Sequence, residues 1–320
     1  MRVWENRRYG GPDVLKLAER PRPVPKPDEV LIRMAATTVS SGDARLRASD
    51  FPGGFWFPAR MYFGLFRPRK TVLGCQLSGI VAEVGSNVTR FAPGDEVTAF
   101  PDIALGCHAE FAAVPQRVVE MKPFGLDFSE AAALGFGGTT ALWFLREKEQ
   151  LKPGARLLVI GASGAVGSAA VQIGRHLGAR VTGVCSGPNM NLVHSLGAAE
   201  VTDYTRADPC AGGPYDVIFD TVGSTDFARV QADLAPAGCY LIAVGTLMQT
   251  LRAGCQKGGQ RVVAGSPPDA PALFADVVAM ASAGVFRPLI DSQVPFSDLP
   301  KAHERADSGR KRGSVVVTLT

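Results

Sequence analysis

Three glycines, Gly161, Gly164 and Gly167, punctuate the stretch Arg156 to Gly167, RLLVIGASGAVG. A turn of this composition brings backbone close to a ligand without side-chain bulk. Where it opens a helix, the N–H groups from Ala162 through Ser163, Gly164, Ala165, Val166 and Gly167 and the helix N-terminus converge on one point. The chemistry that suits such a point is the binding of a pyrophosphate.

Glycine turns also join strands to helices with no ligand, so the flanking elements decide between the two explanations. Leu157, Leu158, Val159 and Ile160 form a continuous apolar run, the pattern of a parallel strand covered on both faces. From Val166 through Gln172 to Leu177 the apolar spacing becomes helical. A second strand is predicted at Arg180 to Val184, with others at Val217 to Asp220, Tyr240 to Val244 and Arg261 to Ala264. This alternation predicts an α/β fold with a doubly wound parallel sheet, and favours the nucleotide over a purely structural turn. Asp220-Thr221-Val222-Gly223 and Ala243-Val244-Gly245-Thr246 end their strands at the same carboxyl edge, so Val222, Gly245 and Thr246 are expected to line the crevice.

Cofactor choice is read at the end of the second strand. An enzyme that prefers NAD places Asp or Glu there, on the ribose 2′-OH. This chain has Val184-Cys185-Ser186-Gly187. With a hydroxyl at Ser186 and no carboxylate to repel a 2′-phosphate, NADPH is expected. Pro188 and Asn189 follow Gly187 and bring no basic side chain, so His194, Arg206 and the Arg310-Lys311-Arg312 cluster are the candidate cations for the phosphate, with a solvated turn as the competing explanation for the cluster.

The 320 residues are comfortable for two domains, and 46% hydrophobic with 20% charged residues is ordinary globular composition. A net charge of +4 with dispersed basic residues argues against nucleic acid as a partner. Cys75, Cys107, Cys185, Cys210, Cys239 and Cys255 show no C-x-x-C pair, which favours reduced thiols. No apolar stretch has the length of a bilayer span, so stable membrane insertion is not expected and a cytoplasmic location is.

Residues before about 120 are rich in Pro, Gly and β signals. Strands are predicted at Glu29 to Ala36, Leu77 to Val84, after the Pro93-Gly94-Asp95 turn, and at His108 to Val114, together a small barrel. Within this part, Asp50 to Lys70 holds Phe51, Phe55, Trp56, Phe57, Tyr62, Phe63 and Phe66. Three explanations stand for this cluster: a substrate wall, a loop packed on the β domain, or a membrane-surface contact helped by Arg60, Arg67, Arg69 and Lys70.

The order of β domain, Rossmann sheet and C-terminal return, with the motifs GCQLSGIVAEVGSNVTRFAPGDEV, GASGAVGSAAVQIGRHLGA and VIFDTVG, resembles the medium-chain dehydrogenase/reductase superfamily. These motifs are similar to its zinc-free quinone oxidoreductase (zeta-crystallin-like) branch. The resemblance implies a GroES-like substrate domain at residues 1–124 and 268–320 and a Rossmann domain at 125–267. It also implies a homodimer, and hydride transfer from NADPH to a quinone or α,β-unsaturated carbonyl. The competing readings are an enoyl-thioester reductase of polyketide type and a protein that binds NADPH without turnover.

The family also contains zinc alcohol dehydrogenases, and the resemblance allows their ligand positions to be inspected here. They carry Ser40, ahead of Asp43, then Cys75 within Gly74-Cys75-Gln76, and Phe136, a set that cannot form a catalytic zinc site. The same resemblance puts Thr140 of Gly137-Gly138-Thr139-Thr140-Ala141 against the nicotinamide, and Tyr204, after Asp203, on the adenosine side. For the substrate it offers Ser40 as a donor to the carbonyl oxygen, Arg45 as an oxyanion stabiliser and Tyr62 as a proton source. Simple lining of the pocket is the competing explanation for all three.

Overall fold

The apolar run at 157–160 is buried on both faces because the strand it forms, Arg156–Ile160, lies in the middle of a seven-stranded sheet. A computed structural model describes residues 1–255, 257–269 and 271–319. In spatial order the strands are Glu200–Asp203, Arg180–Cys185, Arg156–Ile160, Tyr215–Asp220, Leu234–Ile242, Arg261–Ala264 and Gly254–Cys255. Neighbours pair in parallel except the last, which is antiparallel. Leu157 and Val159 pack into one core with Phe219 and Leu241, while Leu158 and Ile160 pack into another with Ile218, Tyr240 and Ile242. Each such side chain contributes roughly 1.5–3 kcal/mol on burial.

From Arg156–Ile160 the chain moves outward through two strands, then returns to the strand's other side at Tyr215–Asp220. That reversal opens a crevice at the carboxyl edge. The helix Ala165–His176 begins there, against the glycine turn.

The second sheet is built on Glu29–Val39, an 11-residue strand. Leu77–Val84 and Phe111–Pro115 pair with it antiparallel, and Glu96–Ala99 and Val119–Met121 extend the first of these. Ser314–Thr318 pairs antiparallel with Ala36 to Val39 and carries Ile290–Pro295 at its side. The chain therefore returns to its first sheet after completing the parallel one. A hairpin of Arg2–Asn6 and Leu15–Glu19 precedes it.

Three local features of the fold stand out. The strand expected from His108 starts at Phe111, because the His108 ring turns inward to Thr38 O at 3.1 Å and its backbone N–H bonds Leu73 O. The segment carrying Gly137 to Ala141 is not one continuous helix: it breaks at Ala133 into Phe128–Ala132 and Leu134–Leu142, then widens into a π-turn at Trp143–Lys148. The aromatic stretch is not only loop: it contains a helix, Trp56–Phe63, closed at Gly64. Cys75, Cys107, Cys185, Cys210 and Cys239 are buried free thiols.

Between the first sheet and the helix Leu299–Asp307 lies a buried polar pair. His108 and His303 pack edge to face at 5.4 Å, both fully enclosed. Nearby, Arg47 reaches Asp307 at 2.7 Å and the carbonyl of Gly10 at 3.1 Å, tying the helix Ser41–Ala48 to Leu299–Asp307. Burial holds His303 well below the ordinary histidine value of 6.5, with the His108 and Arg47 charges acting in the same direction. His108 is lowered mainly by burial too, against the opposing pull of Asp43 and the Thr38 carbonyl. Both imidazoles therefore stay neutral in the fold while the unfolded chain protonates them. As pH falls below about 6.5, each should remove up to about 1.4 kcal/mol of stability per pH unit until its folded value is reached. Urea denaturation at pH 7.5 and pH 5.5 measures this loss, and His303→Leu should make the difference between the two midpoints smaller.

Candidate active site

The glycine turn is shaped by a close approach. A Cβ on Gly167 would stand 2.1 Å from the carbonyl oxygen of Gly161, so only glycine lets the helix seat on the strand end. Gly161 itself has φ +83°, where other residues are strained. Gly164 caps the helix in extended conformation with no side-chain hydrogen bond, leaving the N-terminus open toward the crevice. A Cβ on Gly164 would meet nothing nearer than 3.4 Å, so that position is a cradle with room in it.

Two clefts meet over this turn. One, of about 860 Å³, is lined by Ser163, Gly164, Ser186, Asn189 and Tyr204, with Arg310, Lys311 and Arg312 opposite. The other, of about 670 Å³, runs past Gly164, Ala165, Val166, Thr140 and Val222 toward Arg45 and Asp102, with Lys311 again on its wall. A nicotinamide dinucleotide fits this arrangement, its adenosine in the first cleft and its nicotinamide in the second. Ala162 lies beneath: its N–H bonds Val184 O at 2.9 Å and its side chain is in the core. Thr140 back-bonds Phe136 O at 2.7 Å, yet its residue lines the second cleft. Gly245 lies on the substrate side, while the hydroxyl of Thr246 caps the next helix.

Asn189, at a position where a basic residue had been sought, has a different job. Its amide donates to the hydroxyls of Ser163 and Ser186 at 3.3 and 3.1 Å, joining the glycine turn to the second strand end. The expectation that no carboxylate stands near Ser186 needs correction, because the neighbouring parallel strand brings Asp203 alongside. A Cβ on Gly187 would lie 2.7 Å from its Oδ2. This carboxylate is occupied by Thr205 at 2.8 Å and faces Arg206 at 3.7 Å. Of the three cation sources named from the sequence, Arg206 is thus engaged with Asp203, and His194 is not among the residues lining this cleft. The Arg310-Lys311-Arg312 segment does line it, held in place by Gly313, whose N–H donates to Ser163 O at 2.8 Å. Burial lowers Lys311 to about 8, and its ammonium donates to Gly313 O.

The substrate side is a cavity of about 540 Å³, walled mainly by Phe51, Phe55, Phe63, Phe136, Leu46 and Leu105. Ser40, Cys75 and Phe136 converge here. Ser40 caps the helix Ser41–Ala48: its hydroxyl donates to Asp43 at 2.6 Å and accepts the Asp43 N–H. The Cys75 sulfur is 3.8 Å from the Ser40 oxygen, and burial pushes its thiol well above the ordinary value, so it stays protonated. A capping hydroxyl, a protonated thiol and a phenyl ring do not fit a tetrahedral zinc centre, and no cluster suited to a metal occurs among the described residues.

Arg45 lines both this cavity and the nicotinamide cleft, with no salt bridge among the described residues. Burial lowers its guanidinium somewhat from the ordinary value. Tyr62 is elsewhere: it is 60% exposed and borders a separate annex of about 280 Å³. Asp102, which the sequence reading missed, faces both the cavity and the cleft. Its carboxyl is raised to about 6 by burial, with Asp269 and Asp43 adding to the effect. Its backbone has φ +48°, a left-handed turn that Asp tolerates. The only signal available in the sequence was the Pro101-Asp102 turn after a strand.

The chain is similar to known proteins along nearly its whole length. Residues 26–152 match the alcohol dehydrogenase GroES-like domain and residues 196–317 the family described as zinc-binding dehydrogenase. The NADPH-dependent alkenal/one oxidoreductase, chloroplastic, of Arabidopsis thaliana is 31% identical over 99% of this chain and 79% of its own length. A quinone oxidoreductase of Pseudomonas aeruginosa is 29% identical over 97% of both chains. The structure of the quinone oxidoreductase from Coxiella burnetii superposes with a TM-score of 0.86 at 25% identity, covering 100% of this chain and 99% of that one.

The two glycines predict separable losses. Gly167→Ala should destabilise the fold by about 1–3 kcal/mol, because helix and strand end must part, and should weaken nucleotide binding as well. Gly164→Ala should leave the melting temperature nearly unchanged while a methyl group fills the cradle and binding falls. Thermal unfolding alongside fluorescence titration with NADPH separates the two.

Proposed function

Because the chain belongs to the medium-chain dehydrogenase/reductase superfamily, among the quinone and alkenal oxidoreductases, we propose that it is an NADPH-dependent reductase of quinones and α,β-unsaturated carbonyls. The observation that carries this reading is the placement of an unpaired cation, Arg45, and a carboxyl near neutrality, Asp102, on the wall shared by an apolar cavity and the nicotinamide cleft.

The cofactor, when bound, supplies the hydride. The glycine turn and the open N-terminus of Ala165–His176 hold its pyrophosphate, assisted by Lys311 at the junction of the two clefts. Ser186 and the Arg310 and Arg312 guanidiniums take the 2′-phosphate, a charge-assisted contact. The aromatic wall orients a flat acceptor and limits water. Arg45 stabilises the negative charge that develops on the acceptor's oxygen once its β-carbon has received the hydride. Asp102 then gives its proton to the enolate carbon or, for a quinone, to the oxygen, and is reprotonated from the open end of the cleft.

Two measurements check these roles. NADPH and NADH oxidation are followed with a panel of quinones, enones, enoyl thioesters and simple aldehydes. Quinones and enones should be reduced, faster with NADPH, and replacing Arg310 and Arg312 by Ala should raise the KM for NADPH about tenfold while barely changing that for NADH. NADPH binding without oxidation by any acceptor would sink the enzyme reading. The second measurement is the pH profile of enone reduction. Since Asp102 holds its proton below about 6 and loses it above, kcat should decline as pH rises through that value, and Asp102→Asn should lower kcat and abolish that limb.

A further inference from the structure

Residues 51–70, FPGGFWFPARMYFGLFRPRK, contain no Asp or Glu and four cations, Arg60, Arg67, Arg69 and Lys70. None of these cations makes a salt bridge among the described residues. The same segment bares Trp56, Phe57, Met61, Leu65 and Phe66, with Phe57 62% and Phe66 89% exposed. No residue of the helix Trp56–Phe63 is buried. Leaving so much aromatic surface in water forgoes burial worth about 1.5–3 kcal/mol per large side chain, and contiguous patches of this kind mark contact surfaces.

The exposure is built in. Gly64, at φ +127°, turns the chain so tightly that a Cβ there would stand 2.0 Å from the carbonyl of Arg67. The turn is closed by the Arg69 N–H on Phe63 O at 2.8 Å and by the Arg69 guanidinium on Tyr62 O at 3.0 Å. Leu65, Phe66 and Arg67 are thus held at its tip, facing outward. Arg60 lies over the Tyr9 ring at 4.0 Å and the Trp56 ring at 5.3 Å, so cation and aromatic surface are presented together.

We propose that this segment docks the protein, peripherally, on an anionic lipid surface. Apolar side chains at the rim of a basic, acid-free segment are what an interfacial site needs: the aromatics enter the headgroup region while the cations meet lipid phosphates. Charge complementarity selects an anionic bilayer as the occupant, since four cations without a salt bridge among the described residues would disfavour pairing this face with its own copy. The other side of the segment points inward. Phe51, Phe55 and Phe63 wall the substrate cavity. Docking therefore brings the lipid within one helix thickness of the cavity. If the reductase reading holds, on which this consequence rests, lipid-dissolved quinones and enals are the acceptors served.

The test uses the full chain and needs no turnover. Trp56 is the exposed tryptophan, at 52%, against 9% and 8% for Trp4 and Trp143, so its emission reports docking. Vesicles of phosphatidylcholine with phosphatidylglycerol should sediment the protein and shift its emission to the blue, and both effects should weaken as salt rises. Pure phosphatidylcholine vesicles should bind it far less. Arg67→Glu with Lys70→Glu should cut partitioning about tenfold or more. Phe57→Ser with Phe66→Ser should cut it with an unchanged melting temperature, as expected of solvent-exposed positions. Failure to sediment with either vesicle, equal partitioning between the two, or binding without an emission shift would overturn the proposal. So would a dimer, detected by sedimentation velocity, that Phe57→Ser with Phe66→Ser dissociates, or binding to an acidic carrier protein in preference to vesicles. Because vesicle binding is read without acceptor, its failure leaves the reductase reading standing, and an inactive protein that docks leaves this one standing.

Discussion

The close approach of Gly167 to the carbonyl of Gly161 is the contact on which the remaining architecture depends. It brings the first turn of Ala165–His176 down onto the end of the central strand, and the open helix terminus then faces the crevice where the strand order reverses. The helix Leu134–Leu142 can lie on that turn only because Gly137 also lacks a side chain: a Cβ there would be 2.5 Å from Ala165 O. Thr140 and the start of the nicotinamide cleft are positioned by this second approach. A single steric condition, repeated twice, sets the distance between the pyrophosphate cradle and the substrate cavity.

Polar groups around the cavity are arranged by capping and burial more than by conventional catalytic hydrogen bonds. Ser40 and Asp43 satisfy each other and, through Gly74 N–H at 2.9 Å, lock the helix Ser41–Ala48 to the strand that follows the aromatic segment. Gln76 bridges Thr38 and the Phe136 N–H, each within 2.8 Å, and so fixes the third of the three positions where zinc relatives place ligands. What the cavity presents instead is one cation, one carboxyl near neutrality and a wall of rings.

Legibility in the sequence followed the range of the interactions. Leu77–Val84 and Arg261–Ala264 were readable to the residue, and Ala165–His176 within one position, because apolar periodicity and glycine turns are local signals. Ser186 and Val222, named from strand ends, and Tyr204, named from the family resemblance, line one cleft with the glycine turn. Asp102 and Asp203 were not, since one acquires its chemistry from burial by distant segments and the other reaches Gly187 across a parallel strand pair whose register no local pattern encodes. Tyr62 was offered as a proton source although aromatic composition does not say which side of a helix meets water, and its side chain is exposed.

The hydrogen bond from Gly313 to Ser163 places Arg310, Lys311 and Arg312 on the wall of the cleft lined by Ser186 and Tyr204, although by chain connectivity they belong with the first sheet. The dinucleotide fold is consequently not a portable module in this protein. Excised or grafted onto another partner, it would carry its glycine cradle and serines but leave these cations behind. Selection acting on the charge of the return segment could retune the nucleotide site while every residue of the parallel sheet stayed constant.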